Sequence, residues 1–285
     1  MRLEEAHEVC RQVTREHARN FYYGFVTLPH ERRRGIYAAY AFSRRCDDSV
    51  DGDDPVEAKL AAVADRRAEL AACYAGEVGE DPVLTALSDT VHRFGVPREH
   101  LEALVDGIEM DLTWRRYPDW AALEGYCDRV AGAVGLVSLH VFGFSDRAAP
   151  EHARDLGVAL QVVNIMRDVA EDAARDRIYL PQDRLAAHGV AEADVLAGRA
   201  TPAFRAMMGE LGGVARQFLA RGERLLPLLD RRARMCVATL ASLYEEILVR
   251  IEARDYDVFA ERVHLSTPRK LTLMGRSALA GLAGR

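Results

Sequence analysis

Between Glu31 and Val50 the apolar side chains Ile36, Tyr37, Tyr40, Ala41 and Phe42 recur at helical spacing among charges, with Pro29 just ahead as a start signal. The same succession of stripe and breaker continues down the chain. Pro55 opens a segment running to about Ala75, Asp81-Pro82 opens another, and Pro97 starts one that passes through Asp111 and Leu112. Residues 120–143 differ, because Val130, Ala131, Ala133, Val134, Leu136, Val137 and Leu139 give them the composition of a buried central helix. Gly132 and Gly135 interrupt that segment. Each interior glycine costs roughly 1 kcal/mol of helix propensity, so close approach of a neighbouring helix has to offset them. Further helices fit residues 150–174, 201–226, 232–254 and 267–282, with Pro181 closing the loop after the first. No period-two run of β-branched residues is long enough for a sheet, and no repeat, low-complexity tract or long linker divides the chain. The expectation is an all-α fold, a single domain over residues 1–285.

Composition narrows the class. A chain of 285 residues can bury a sizeable core, and 49% hydrophobic with 29% charged residues is ordinary for a soluble globular protein. A net charge of −6 gives no whole-molecule attraction to nucleic acid or anionic lipid. Lys59 and Lys270 are the only lysines, so the positive charge is nearly all arginine. Arginine suits bidentate phosphate recognition, although a biased codon composition produces the same excess. Cys10, Cys46, Cys73, Cys127 and Cys236 form no CxxC pair and no Cys/His metal spacing, a pattern of reduced thiols in a cytosolic protein. The N-terminus carries Glu4, Glu5 and Glu8 where a signal peptide would be basic and then apolar. No uncharged run approaches the ~18 residues needed to span a bilayer. A cytoplasmic location is expected.

Two acidic clusters carry candidate chemistry. In Arg44-Arg45-Cys46-Asp47-Asp48-Ser49-Val50-Asp51 the residues Asp47 and Asp51 are four apart. On a helix their carboxylates would leave one face, with Cβ atoms roughly 5–6 Å apart. Asn164-Ile165-Met166-Arg167-Asp168-Val169-Ala170-Glu171-Asp172 repeats the spacing with Asp168 and Asp172, and Asn164 and Gln161 fall on the same side one and two turns earlier. Taken alone, either cluster resembles a solvated helix face, which is how Asp53-Asp54 and Glu80-Asp81 are read. Two pairs at identical spacing on mostly apolar helices, each preceded by arginine (Arg44, Arg167), are a stronger signal. Buried carboxylates without a partner cost several kcal/mol each. Magnesium answers that cost, since one or two carboxylates commonly hold it while waters and substrate phosphates complete its shell. Two facing pairs therefore predict a small magnesium cluster around a diphosphate.

From about residue 15 to 272 the chain resembles the squalene/phytoene synthase family. Asp47-Asp48-Ser49-Val50-Asp51 matches that family's first aspartate motif, and the run from Gln161 to Asp172 matches the second. Arg177-Ile178-Tyr179-Leu180-Pro181, which follows, is equally characteristic. The run from Tyr126 to Gly135 is similar to the family's central helix, and Phe21-Tyr22-Tyr23 with Leu28-Pro29 to its substrate-proximal N-terminal segment. The resemblance implies the isoprenoid synthase fold, a helical bundle around a deep apolar cavity. It also implies a prenyltransferase that joins two allylic diphosphates head to head. Asp47, Asp51, Asn164, Asp168 and Asp172 would bind two or three magnesium ions, with manganese an acceptable substitute. Arg44, Asn164, Arg262 and Lys270 would bind diphosphate, and Tyr126, Gln161 and Tyr244 would stand near the reacting carbons. Phe21 would flank the allylic cation, where the face of an aromatic ring is useful, and Val130, Ala131, Val134 and Gly135 would line the hydrocarbon pocket. The chain departs from the family at Ala18 and Asn20, where small hydroxyl residues are frequent, and at Asp128, where some relatives carry an aromatic.

Substrate length rests on finer strings. The N-terminal segment, Gly135–Gly143 and Arg262–Lys270 look closer to bacterial presqualene diphosphate synthases of hopanoid pathways, whereas Asp255-Tyr256-Asp257-Val258-Phe259 resembles phytoene synthases. The expected reaction is condensation of two farnesyl diphosphates to presqualene diphosphate or a C30 squalene-type product. The alternative is a phytoene synthase acting on two geranylgeranyl diphosphates. A non-catalytic prenyl-lipid-binding or assembly protein is the alternative of another class, and retention of both aspartate pairs argues against it. With no GxGxxG after a strand, NADPH is not expected. A lipophilic product implies transient contact with the inner membrane face, for which Arg262, Arg269, Lys270 and Arg276 offer a basic patch. Cys46 reads as packing and His140 as a satisfied core residue.

Overall fold

The computed structural model describes residues 2–18 and 21–283, so Asn20 lies outside the described residues. The described chain is helical throughout: α1 (Leu3–His17), α2 (Phe21–Phe25), α3 (His30–Asp48), α4 (Val56–Ala75), α5 (Pro82–Phe94), α6 (Arg98–Thr113), α7 (Trp120–Cys127), α8 (Ala133–Phe142), α9 (Ala149–Ala173), α10 (Gln182–His188), α11 (Glu192–Leu196), α12 (Pro202–Gly222), α13 (Arg231–Ala253) and α14 (Thr267–Ala283). Among the described residues the only β feature is an isolated parallel bridge between Arg116 and Ile178.

Helices begin where the sequence supplies a start signal. Pro29, Pro55, Pro97 and Pro181 stand at the N-caps of α3, α4, α6 and α10. Asp81, Asp119, Thr201 and Asp230 accept hydrogen bonds from the first unpaired amides of α5, α7, α12 and α13. Asp81 corrects an expectation. Instead of standing as a surface charge it is partly buried, receiving the Val83 and Leu84 amides at 2.9 and 3.0 Å and the Arg45 guanidinium at 2.6 Å. Arg45 also grips Glu69 at 2.6 Å, so one cation ties α3, α4 and the start of α5 together. Asp81→Ala is expected to lower stability by about 2 kcal/mol, the cap together with the stranded arginine. The thermal midpoint should fall while the far-ultraviolet circular dichroism of the folded protein stays unchanged.

The central helix differs from the simple helix expected over residues 120–143. A π turn, Asp128–Gly132, joins α7 to α8. Such an insertion is rare, and it recurs at functional sites. The glycines play the part their cost requires. A Cβ on Gly135 would stand 2.4 Å from the Ala153 carbonyl oxygen, and one on Gly157 would stand 2.2 Å from that of Ala131. The middle of α9 therefore packs backbone to backbone on the start of α8 and the π turn. Beyond Gly222, α12 tightens into a 3₁₀ turn, Glu223–Leu228, that contains Pro227.

The core is continuous across the bundle, with Tyr117, Tyr244, Phe42 and Phe204 among its largest fully buried side chains. Each contributes roughly 2–3 kcal/mol of apolar burial. All five cysteines are buried and free, and Cys46 packs in the core as expected. His140 is half-buried rather than a core residue, its ring 5.7 Å from that of His100 and 5.5 Å from that of Phe144. No described helix is long and apolar enough to cross a membrane.

Candidate active site

Several helices carry stripes that change from apolar to polar along one cavity. On α3 the stripe is Ile36, Ala39, Tyr40, Ser43 and Asp47; on α6 it is Leu104, Ile108 and Asp111. On α9 it runs Ala153, Leu156, Gly157, Leu160, Gln161 and Asn164. The central helix runs the opposite way, presenting Tyr126, Val130, Val134, Ser138 and Phe142 four residues apart. With Phe21 and Phe25 of α2 and Val237 and Leu240 of α13, these walls enclose about 380 Å³. At a rise of about 1.5 Å per residue, the wall from Tyr126 to Phe142 is roughly 24 Å long.

Asp168 and Asp172 remain on α9, but Asp51 does not lie on a helix as its spacing predicts. α3 ends at Asp48, and Asp51 follows in a turn whose backbone still closes on the Asp47 carbonyl at 3.1 Å. Gly52 follows with φ of 85°, a left-handed conformation that glycine adopts at little cost. The acidic residues thus sit near the C-terminal ends of α3, α6 and α9. A helix C-terminus already carries about half a negative charge, so three of them and five carboxylates make this pole strongly anionic.

The consequences differ from residue to residue. Burial pushes the Asp47 carboxyl up to about 7, with Arg44 opposing and Asp51 and Asp111 adding to the rise. Asp172 is likewise pushed up to about 7 by burial, then by Asp168 and Asp111. Asp168 shows the reverse balance. Burial works against its charge, but two hydrogen bonds from Arg167 (2.7 and 2.6 Å) and one from Arg262 (2.8 Å) outweigh it and hold its carboxyl below the usual range.

Asp111 was not singled out in the sequence. Burial raises its pKa even though the Tyr179 and Tyr126 hydroxyls donate to it at 2.7 and 3.0 Å. The rings of Tyr117, Tyr126 and Tyr179 pack together around it, with centroids 5.2 to 5.5 Å apart. The signal for Asp111 was present: it continues the stripe Leu101, Leu104, Val105, Ile108 on an apolar helix face, where a carboxylate is costly.

Other expected residues fall in three places. Phe21, Val130, Ala131, Val134, Gly135, Tyr126, Gln161 and Asn164 all line the cavity with Asp47. Arg44 pairs with Asp48 and lies 3.4 Å from Asp51, and Arg262 lies 3.2 Å from Glu171 besides its bond to Asp168. Tyr244 is not in the wall itself; it is buried behind Phe21, ring to ring at 5.8 Å. Lys270 is buried, its amine 5.5 Å from the centre of the Tyr23 ring.

Among the described residues no three carboxylate, histidine or cysteine side chains converge closely enough to hold a metal ion by themselves. The donors nevertheless fit a hard cation completed by phosphate oxygens. Asp47 and Asp172 are partly buried, and among the described residues the Asn164 Oδ1 atom is buried with no hydrogen-bond partner. The Arg44 Nε–H is buried and unpartnered as well. A lone acceptor and a lone donor beside one anionic pole suit a metal and an anion bound together.

An apolar cavity ending at carboxylates with arginines beside them suits a class of enzyme that ionises a diphosphate out of reach of water. Comparison with known proteins narrows the class. Residues 14–269 match the squalene/phytoene synthase family model. The chain is 38% identical to the 15-cis-phytoene synthase of Synechococcus elongatus, over 94% of this chain and 91% of that one. Among solved structures it is similar to the squalene synthase HpnC of Alicyclobacillus acidocaldarius, with 31% identity and a TM-score of 0.83, covering 89% of this chain and 95% of that one. A dehydrosqualene synthase solved with a ligand superposes with a TM-score of 0.90 at 28% identity, covering 99% and 98%. The chain belongs to the squalene/phytoene synthase family, and it is a prenyltransferase of the isoprenoid synthase fold.

Proposed function

We propose that this enzyme condenses two geranylgeranyl diphosphates head to head to a phytoene-type C40 product, with magnesium and without NADPH. The observation that carries the reading is the 38% identity to a 15-cis-phytoene synthase over nearly the whole of both chains. It favours the longer substrate over farnesyl diphosphate, the one expected from the N-terminal segment, Gly135–Gly143 and Arg262–Lys270. A cavity wall of roughly 24 Å supports it too, giving an extended chain of four isoprene units room to lie along α8.

In this reading Asp47 and Asp51 would hold magnesium on one side, and Asn164, Asp168 and Asp172 on the other. Bound there, magnesium supplies neutralisation of the charge that develops on the departing diphosphate. The unpaired Arg44 Nε–H would donate to a diphosphate oxygen, joined by Arg262 and Lys270. Val130, Ala131, Val134 and Gly135 would hold the hydrocarbon chains extended and keep water from the allylic cation. Phe21 would present its ring to that cation, with Tyr244 fixing the ring from behind. Tyr126 and Gln161 lie between the polar pole and the apolar walls. There the double bond of the second substrate attacks the cation, and loss of a proton closes a cyclopropane. A second ionisation would release the other diphosphate, and the rearranged cation would lose a proton to give a linear product with no hydride needed.

The test is to incubate the purified protein separately with geranylgeranyl and farnesyl diphosphate, with magnesium and without NADPH, and to identify extracted products by mass spectrometry. A C40 product from the longer substrate alone is expected. A C30 product from farnesyl diphosphate alone would restore the shorter substrate. Absence of coupling from both, in folded protein supplied with magnesium, would favour a binding role.

A further inference from the structure

Most arginines around the anionic pole already have close partners. Arg167 clamps Asp168 with two hydrogen bonds, Arg262 reaches Asp168 and Glu171, and Arg177 turns inward to the Asp111 carbonyl at 3.2 Å. Arg175 differs. Its side chain is 65% exposed, and its one ion pair among the described residues places Nη1 4.0 Å from Oδ1 of Asp51, itself 42% exposed. That approach links the turn after α9 to the turn after α3, and so joins the two aspartate motifs.

The turn carrying Arg175 is firmly built. The amides of Arg175 and Arg177 both return to the Asp172 carbonyl, at 3.0 and 2.9 Å. Between them Asp176 takes φ of 55°, in the left-handed region that a non-glycine residue enters at a cost. Arg116 offsets it from the neighbouring segment, donating to the Asp176 carbonyl at 2.7 Å and to its carboxylate at 2.8 Å. Arg116 is anchored in turn by Glu192 at 2.8 and 2.6 Å, and the Ile178 amide bonds the Arg115 carbonyl at 3.0 Å. The backbone is thereby fixed while a long cationic side chain is left in solvent beside Asp51.

An ion pair at 4.0 Å between exposed partners contributes little, so its guanidinium moves at small cost. We propose that Arg175 is an exchangeable diphosphate ligand, resting against Asp51 in the metal-free protein and turning to the diphosphate oxygens when magnesium and substrate enter. The inference rests on reading the anionic pole as a magnesium–diphosphate site. It has two opposed consequences. Beside Asp51 the cation weakens metal binding ahead of substrate, and beside diphosphate it adds a charge-assisted hydrogen bond. Metal is thus favoured to load together with the diphosphate.

Isothermal titration calorimetry on the full chain separates the two, using magnesium alone and then inorganic diphosphate in excess magnesium. Arg175→Gln is expected to bind diphosphate about tenfold more weakly, one charge-assisted hydrogen bond. The same variant should bind magnesium alone about two- to threefold more tightly, the worth of one exposed pair. Arg175→Lys, which keeps the charge and loses the fork, should keep the wild-type magnesium constant and regain part of the diphosphate affinity. Unchanged diphosphate affinity in Arg175→Gln would overturn the proposal, as would weakening of both constants together, the result of a merely structural role. If the wild-type chain binds no diphosphate with magnesium present, the reading of the pole itself fails and the inference falls with it.

Discussion

Asp47→Asn is expected to reduce kcat/KM by about a thousandfold or more, and to leave the protein at least as stable as the wild type. The two effects have one origin. Asp47 stands in the cavity wall near Asp51 and Asp111, at the C-terminal end of α3, while the Arg44 guanidinium is engaged with Asp48 and Asp51. Without a metal that partly buried carboxylate has no ion pair among the described residues, and burial disfavours its charge more than Arg44 favours it. Asparagine keeps its shape and removes its charge, so the thermal midpoint in magnesium-free buffer should hold or rise. The same change removes a proposed magnesium ligand, and the transition-state charge stabilisation a metal supplies is itself worth several kcal/mol. Magnesium with inorganic diphosphate should raise the wild-type midpoint by mass action and raise that of the variant much less. Loss of activity with an equally large fall in stability would make Asp47 a structural residue. Full activity would remove it from the metal site.

The helices were legible because their boundaries are chemical. Prolines and capping aspartates fix where α3, α4, α5 and α6 begin, and those residues act within one turn of backbone. The two aspartate motifs were legible because their i, i+4 spacing is also local. What stayed hidden depends on tertiary neighbours. Asp111 looks like one more acidic residue after Glu109 until Tyr126 and Tyr179, 15 and 68 residues away in the chain, are seen donating to it. Asp81 was misjudged for the same reason, since Arg45 reaches it from 36 residues earlier. The π turn was invisible because hydrophobic pattern does not report one inserted residue in an apolar run. Tyr244, expected to line the pocket, packs against Phe21 instead, and pattern alone does not separate a residue in the wall from one packed against it.

The glycines give the largest structural prediction, because propensity and packing there have opposite signs. Gly157→Ala should gain about 1 kcal/mol from helix propensity. The new Cβ, however, would stand 2.2 Å from the Ala131 carbonyl oxygen, 2.7 Å from its carbonyl carbon and 2.9 Å from the Gly132 Cα. All three are backbone atoms, so no side chain can turn aside and α9 has to move away from the π turn. Overpacking costs about 1–3 kcal/mol, and more where the obstacle is rigid. A net loss of about 2 kcal/mol is expected, lowering the thermal midpoint by about 5 °C or more. Ala131 and Gly157 both line the cavity, and Gln161 follows one turn later on α9, so condensation should fall well beyond what the lost stability explains. Gly213→Ala is the matched control. It lies exposed on α12 with nothing within 4 Å of a new Cβ, and there the propensity gain should appear unopposed as a rise in midpoint. Were Gly157→Ala as stable and active as that control, the direct backbone contact between α9 and the central helix would be wrong.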